Sequence, residues 1–234
     1  MLNQFIWIIY PYLCLAIFVI GHIARYKYDQ FSWTAKSSEM IEKRRLKWGS
    51  LLFHLGVIPV FFGHVVGLLI PANWLEAVGV DNHIYHIGAV YIGSIFGIIT
   101  LIGMLLLTLR RLTIKNVRRL SSFSDIFVNI VLLIILLMGC YSTLVTNAVQ
   151  PDFDYRQTIA IWFRHLFMFS LNSNLMVNVP WSFKLHILLG FTVFACWPFT
   201  RLVHVWSVPL SYMNRRYIVC LLYTSPSPRD ATLS

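Results

Sequence analysis

The stretch FHLGVIPVFFGH, residues Phe53–His64, places two histidines ten positions apart within an otherwise apolar run. A titratable side chain at membrane depth costs free energy, so an intramembrane histidine indicates a functional site by default. One isolated histidine of this kind is more often explained by a hydrogen bond between helices. A second apolar run carries two more, His186 and His204, and four histidines on two helices favour a ligand role.

The composition of the chain predicts that lipid covers most of its surface. Hydrophobic residues make up 58% of it and charged residues only 12%, whereas a soluble domain has about 25% charged residues. A helix needs about 20 apolar residues to span a bilayer. The sequence therefore predicts an all-α membrane protein, a bundle of five transmembrane helices. The five windows are Gln4–Ala24, Trp48–Ile70, Ile84–Leu109, Ile126–Ala148 and Val179–Val205.

The net charge of +10 is distributed unevenly along the chain. Lysine and arginine are concentrated between windows one and two, between windows three and four, and after window five, whereas Pro71–His83 has neither. The positive-inside rule then places the N-terminus outside, in the periplasm, and the C-terminus in the cytoplasm. It also explains the basic character of the chain, so no nucleic acid partner is expected.

The histidine spacings predict two separate sites. At 1.5 Å per residue, His54 and His64 are about 15 Å apart along a helix, and His186 and His204 about 27 Å apart. Neither pair can bind one metal through bonds of about 2 Å, so each helix gives one ligand to each site. Because the two helices run in opposite directions, His54 pairs with His204 at the inner level, and His64 with His186 at the outer level. The roughly 12 Å difference between the spacings must be absorbed by tilt and by bending at Pro59 and Pro198.

Two sites with two histidines each suit haem iron, because the porphyrin supplies the other four nitrogens. A bis-histidine haem has no open coordination position and therefore transfers electrons. Zinc or copper usually recruits Cys, Asp or Glu as well, and none is evident at these depths. A haem-free anchor or a small transporter is the alternative from another class, although the sequence shows no repeats typical of transporters.

Residues near the histidines are candidates for supporting roles. Arg201, one turn before His204, favours an ion pair with a haem propionate over a membrane-surface anchor, and Lys184 is a weaker candidate near His186. Four glycines flank the ligands within a helical turn and would allow a flat macrocycle to approach, although helix packing explains them equally well. These glycines are Gly56, Gly63, Gly67 and Gly190.

Three further histidines and one segment lie outside the two predicted ligand pairs. His86, at the outer start of window three, is either a quinone-binding acid–base group or an ordinary interfacial histidine. His22 is predicted to be interfacial, and His165 has no partner histidine. The segment TIAIWFRHLFMFSL, residues Thr158–Leu171, predicts a helix on the outer membrane face, with a re-entrant or simply packed segment as alternatives.

Several segments together resemble the gamma, cytochrome b subunit of membrane-bound respiratory nitrate reductases. They are Arg25–Met40 (RYKYDQFSWTAKSSEM), Phe53–His64, Lys184–Gly190 (KLHILLG) and Pro198–Pro209 (PFTRLVHVWSVP). The resemblance implies two b haems and a chain in the bacterial inner membrane. It also implies quinol (menaquinol or ubiquinol) oxidation near the outer haem.

The same resemblance implies two partner subunits. Electrons would pass through the inner haem to an iron–sulfur beta subunit docked on the inner loops, and then to a molybdenum-containing alpha subunit that reduces nitrate. The quinol pocket candidates are His86, Tyr85 and Gly63, although this region lacks a lysine that the family can carry there. A cytochrome b subunit of a thiosulfate or heterodisulfide reductase is the other family-level interpretation.

The resemblance ends near Tyr217. Residues 1–217 are therefore predicted to form the dihaem domain, and residues 218–234 a disordered or artefactual tail, because the stretch LLYTSPSPRDATLS is rich in Ser and Pro and has no periodicity.

Overall fold

The computed structural model describes residues 1–29, 31, 33, 38, 40–150 and 153–207. These residues form helices and, within the described ranges, no strand. Five helices are long and apolar enough to cross a membrane, which confirms the predicted five-helix bundle. They are α1 Leu2–Tyr28, α2 Arg44–Leu69, α3 Asn82–Thr113, α4 Phe123–Val149 and α5 Trp181–Phe199. The proposed domain boundary at Tyr217 and the proposed tail lie outside the described residues.

Shorter elements lie in the connections between these helices. The helix Ala72–Ala77 lies between α2 and α3, Lys115–Leu120 between α3 and α4, and Ile159–Phe167 between α4 and α5. A 3₁₀ helix, Arg201–Ser207, follows α5.

The five long helices pack in a row whose order differs from their order in the sequence. Helix α2 packs closely on α3, α3 on α4, α4 on α5, and α5 on α1. Helices α2 and α5, which carry three of the four candidate ligands, are not among the closely packed pairs. The two helices instead face each other through the side chains of His64 and His186, whose ring centroids are 6.0 Å apart.

The contact between α2 and α3 depends on glycines. A Cβ atom added at Gly103 would collide with the backbone nitrogen of Phe53, and one added at Gly56 would collide with the Thr100 side chain. Thr100 is completely buried in this contact. Of the two interpretations of Gly56, the structure therefore favours helix packing.

We expect Gly103→Ala to destabilise the bundle by about 1–3 kcal/mol, because overpacking a tight contact forces the backbones apart. Gly93→Ala on the same helix is the matched control, since a Cβ there meets nothing within 4 Å. That control should be neutral or stabilising by up to about 1 kcal/mol. Thermal unfolding in detergent at a fixed scan rate measures the difference, and equal midpoints for the two variants would contradict the packing argument.

The fifth span ends earlier than the sequence predicts. Its α-helical part ends at Cys196, a 3₁₀ turn covers Trp197–Phe199, and Thr200 is extended with φ −122° and ψ 176°. The predicted continuous window Val179–Val205 is therefore wrong beyond Phe199. Pro198 explains the break, because proline has no N–H to donate and clashes with the preceding helical turn. By contrast, α2 remains helical across Pro59.

An arginine from α1 stabilises this break. The Arg25 guanidinium donates to the carbonyl oxygens of Pro198 and Thr200, which lie at the point where the α-helix has ended. The break also removes the difficulty posed by the unequal histidine spacings. His204 does not lie 27 Å from His186 along one straight helix, because the chain changes direction between them.

The helix Ile159–Phe167 belongs to the core of the protein. Trp162 is completely buried, donates from Nε1 to the Trp7 carbonyl at 3.1 Å, and packs edge-on against Trp7 and Phe191. Of the three interpretations of Thr158–Leu171, the structure favours a packed segment, which anchors the start of α1 to α5.

The connections rich in Lys and Arg meet at one end of the bundle, which we call the basic end. There Arg110, at the end of α3, forms a 2.8 Å ion pair with Glu42, which precedes α2. Arg201, after α5, forms a 2.7 Å ion pair with Asp125 at the start of α4. Hydrogen bonds from the Arg45 backbone and from Arg110 lower the pKa of Glu42. The opposite end contains the connection between α4 and α5.

Candidate functional site

The four candidate ligands form the two pairs that the sequence predicts. The rings of His64 and His186 have centroids 6.0 Å apart, with their planes at 20°. The rings of His54 and His204 have centroids 6.3 Å apart, with their planes at 77°. Two imidazoles that bind one metal from opposite sides through bonds of about 2 Å have centroids about 6 Å apart. Both pairs have the spacing that such a ligation requires.

Each of these four rings is oriented by a backbone carbonyl. A carbonyl oxygen only accepts hydrogen bonds, so the proton of each ring is on Nδ1, and Nε2 keeps the lone pair that a metal needs. Histidine ligands in proteins are typically oriented in this way. The Nδ1 atoms donate as follows: His54 to Ser50 O at 2.8 Å, His64 to Val60 O at 2.8 Å, His186 to Ile135 O at 3.0 Å, and His204 to Arg201 O at 2.7 Å.

His22 shows how a structural histidine differs from these four. Its Nδ1 donates to the Phe18 carbonyl at 2.7 Å, and its Nε2 accepts a hydrogen bond from Trp206 at 3.1 Å. Both ring nitrogens are therefore used within the protein. The hydrogen bonds separate His22 from the candidate ligands, whereas the sequence separated it only by its position near the end of a span.

The remaining flanking glycines fall into two kinds. A Cβ at Gly63 or at Gly190 would meet nothing within 4 Å, so both border open space near the outer pair. A Cβ at Gly67 would lie 2.7 Å from the Tyr85 hydroxyl and 2.8 Å from the Tyr155 hydroxyl. Gly63 and Gly190 therefore remain candidates for admitting a macrocycle, whereas Gly67 serves packing against the two tyrosines.

Sequence reasoning missed Gly139 on α4. A Cβ there would lie 3.1 Å from Cε1 of His186, so the absence of a side chain lets this imidazole reach the α4 backbone, where Ile135 orients it. The available signal was a glycine inside a long apolar helix, a position that costs about 1 kcal/mol relative to alanine.

Of the three quinol pocket candidates, Tyr85 is engaged within the protein. Its hydroxyl lies 2.7 Å from that of Tyr155, and the Arg156 guanidinium stacks 4.1 Å above its ring. Burial raises the pKa of the Tyr155 phenol, so the Tyr155 hydroxyl stays protonated at neutral pH. His86 is exposed on α3 and Gly63 borders open space, so these two remain accessible to a ligand.

Arg201 lies beside a carboxylate that sequence reasoning also missed. Its Nε donates to Asp125 Oδ1 at 2.7 Å, and Arg111 lies 3.8 Å from the other oxygen of this carboxyl. The signal was the SFSD motif before the fourth apolar window, which forms a capping box here. Lys184, the weaker outer candidate, donates to the Val177 carbonyl at 2.8 Å.

Comparisons with known proteins agree along nearly the whole chain. The family model for the nitrate reductase gamma subunit matches residues 3–222. The nitrate reductase gamma chain of Bacillus subtilis (strain 168) is 48% identical over 219 residues, which cover 94% of this chain and 98% of that protein.

Two further relatives extend this similarity. The respiratory nitrate reductase 2 gamma chain of Escherichia coli (strain K12) is 42% identical, over 92% of this chain and 95% of the relative. The nitrate reductase-like protein NarX of Mycobacterium tuberculosis (strain ATCC 25618 / H37Rv) is 38% identical over 94% of this chain, which spans only 34% of that longer protein. The chain therefore belongs to the nitrate reductase gamma subunit family.

Proposed function

We propose that this chain is a membrane dihaem cytochrome b subunit. In this proposal it oxidises quinol at the outer membrane face and passes electrons through two b haems to the iron–sulfur subunit of a cytoplasmic nitrate reductase. The observation that carries the proposal is that the imidazole rings face each other in two pairs, His54 with His204 and His64 with His186. Each is about 6 Å between centroids, and every Nδ1 hydrogen is donated to a carbonyl.

The residues fit haem better than a single bare metal ion. Each site offers two imidazole nitrogens, and within the described part of the chain no three His, Cys, Asp or Glu side chains are grouped to hold a metal ion. A group that brings its own four equatorial ligands needs only the two axial nitrogens that each pair provides. The open space at Gly63 and Gly190 supports a broad, flat group at the outer pair.

The two levels define a path across the bilayer. Haem supplies a one-electron ferric/ferrous couple at each level when bound. His54 and His64 are ten residues apart on α2, which separates the levels by about 15 Å along the helix. If each histidine pair held a haem, its two imidazoles would leave no coordination position open to oxygen or other small ligands, and the group would supply electron transfer.

In this proposal, quinol binds near the outer pair, where Gly63 leaves space beside His64. The exposed His86 imidazole is the proposed acceptor of a quinol proton, because one ring nitrogen of a neutral imidazole can accept a hydrogen bond and then a proton from the quinol hydroxyl. The hydrogen-bonded Tyr85–Tyr155 pair, with Arg156 stacked on the Tyr85 ring, is proposed to form part of the wall of the pocket.

The proposed orientation places the basic end in the cytoplasm of a bacterium, with the chain in the inner membrane. The N-terminus is then periplasmic and the C-terminus cytoplasmic. This end presents exposed basic residues, among them Arg44, Arg45, Arg118 and Arg119, to which we propose that the iron–sulfur beta subunit docks. The molybdenum-containing alpha subunit completes the nitrate reductase.

Mixing the purified complex anaerobically with a quinol tests this proposal. We expect the absorbance spectrum to show that quinol reduces both haems and that added nitrate then reoxidises them. A complex that contains the chain and reduces nitrate from an artificial donor, yet shows no haem reduction by quinol, would refute the proposed electron path.

A further inference from the structure

The segment that carries His204 is not part of a long helix and needs other support. It begins after the extended residue Thr200, in the 3₁₀ helix Arg201–Ser207. The guanidinium of Arg25 holds the carbonyls at the break on one side. On the other side, the Arg201 side chain donates to Asp125 at 2.7 Å. The position of the inner ligand therefore depends on side chains from α1 and α4.

Asp125 is itself held rigidly at the first turn of α4. Its backbone N–H donates to the Ser122 hydroxyl at 3.2 Å, and its Oδ2 accepts from the Ser122 backbone N–H at 3.1 Å. The residue is only 8% exposed. Such a reciprocal capping box fixes the carboxylate relative to the helix axis, so Oδ1 is presented to Arg201 in a fixed place.

Arg201 links this fixed carboxylate to the histidine. Its side chain bonds to Asp125, while its own carbonyl accepts the Nδ1–H of His204 at 2.7 Å. A displacement of Arg201 therefore displaces the acceptor that sets the orientation of the imidazole. Outer-shell hydrogen bonds of this kind tune both the geometry and the basicity of a histidine ligand.

We propose that Asp125 is a positioning residue for His204 and sets the reduction potential of the inner haem. This inference rests on the proposed function. Arg111, 3.8 Å from the carboxylate, and Arg201 place two positive charges against one negative charge. The carboxylate acts in two ways: it holds the Arg201–His204 turn, and it offsets positive charge near the iron.

The charge effect has a definite sign. Ferric haem carries one more positive charge than ferrous haem, so a nearby carboxylate stabilises the oxidised form and lowers the potential. Asp125→Asn removes this charge and keeps the shape of the side chain. Its one amide oxygen can accept from Arg201 Nε, while its NH2 group replaces the oxygen that accepts from the Ser122 backbone N–H. The inner haem potential should rise, and the outer haem potential should not change.

The experiment is an optical redox titration of the purified complex, with the two haems resolved by their midpoint potentials. Asp125→Asn should keep both haems and raise one potential. Asp125→Glu, which retains the charge, should return that potential towards the wild-type value. Asp81→Asn is the matched control, because Asp81 caps α3 at the opposite end through Ile84 and should leave the inner potential unchanged.

Arg111→Gln removes a positive charge from the same cluster and should lower the inner potential. If the Asp125→Asn chain does not assemble into the complex, the Arg111→Gln variant still tests whether the charges of this cluster set the potential of the inner haem. If the wild-type complex contains two haems and none of these variants shifts the potential of the inner haem, the role of Asp125 is overturned while the proposed function stands. A wild-type complex without haem would overturn the proposed function itself.

Discussion

Replacement of His64 by alanine is expected to remove one of the two haems and to abolish quinol oxidation. The Nε2 of His186 would then face no second imidazole, and a b haem that loses one of its axial histidines is bound weakly. We expect about half of the haem absorbance to disappear. The rate of quinol-dependent nitrate reduction should fall by more than about 100-fold, because removal of a hydrogen-bond partner of a ligand alone can cost that much.

Haem quantification of the purified variant, together with the quinol-dependent rate, measures both effects. His83→Ala is the control, since His83 is an exposed histidine at the same end of the bundle and should leave two haems in place. Retention of both haems after removal of His64, or after removal of its partner His186, would show that the outer pair is not a ligand pair.

Replacement of His204 by alanine should give a different failure at the other end of the path. The inner haem is lost, while the outer pair of His64 and His186 remains intact. Quinol should still reduce the remaining haem, but nitrate should no longer reoxidise it, because the next step towards the cytoplasm is missing. Removal of His54, which faces His204 at 6.3 Å, should give the same result.

Stopped-flow absorbance with quinol followed by nitrate distinguishes this variant from the loss of His64. His22→Ala is the control at this end, because both nitrogens of His22 are used in bonds within the protein. A His204 variant whose remaining haem is reduced by quinol and reoxidised by nitrate at the wild-type rate would contradict the proposed order of the two haems.

The sequence predicted the features that depend on local pattern and on helix direction. Five apolar windows predicted five spans, and the alternation of direction predicted which histidine meets which. These inferences needed only the rise of a helix and the length of a span. The same reasoning placed Lys- and Arg-rich connections at one end, where Arg110 and Arg201 now contact Glu42 and Asp125.

The features that it could not predict depend on contacts between distant segments. Whether Pro198 kinks a helix or ends it depends on Arg25, which supplies donors to the carbonyls at the break. Gly56 packs against Thr100, whereas Gly63 borders open space, and nothing in their local sequences separates these roles. Asp125 stands next to an apolar window as an ordinary capping residue, and only the fold brings it to Arg201.

The most direct test of the central claim is the ratio of haem to protein in the purified wild-type chain, determined with its reduced-minus-oxidised spectrum. Two facing imidazole pairs predict two b-type haems per chain, both low-spin in the ferric state. A preparation of correctly folded chain that contains no haem, or a single haem, would contradict the account.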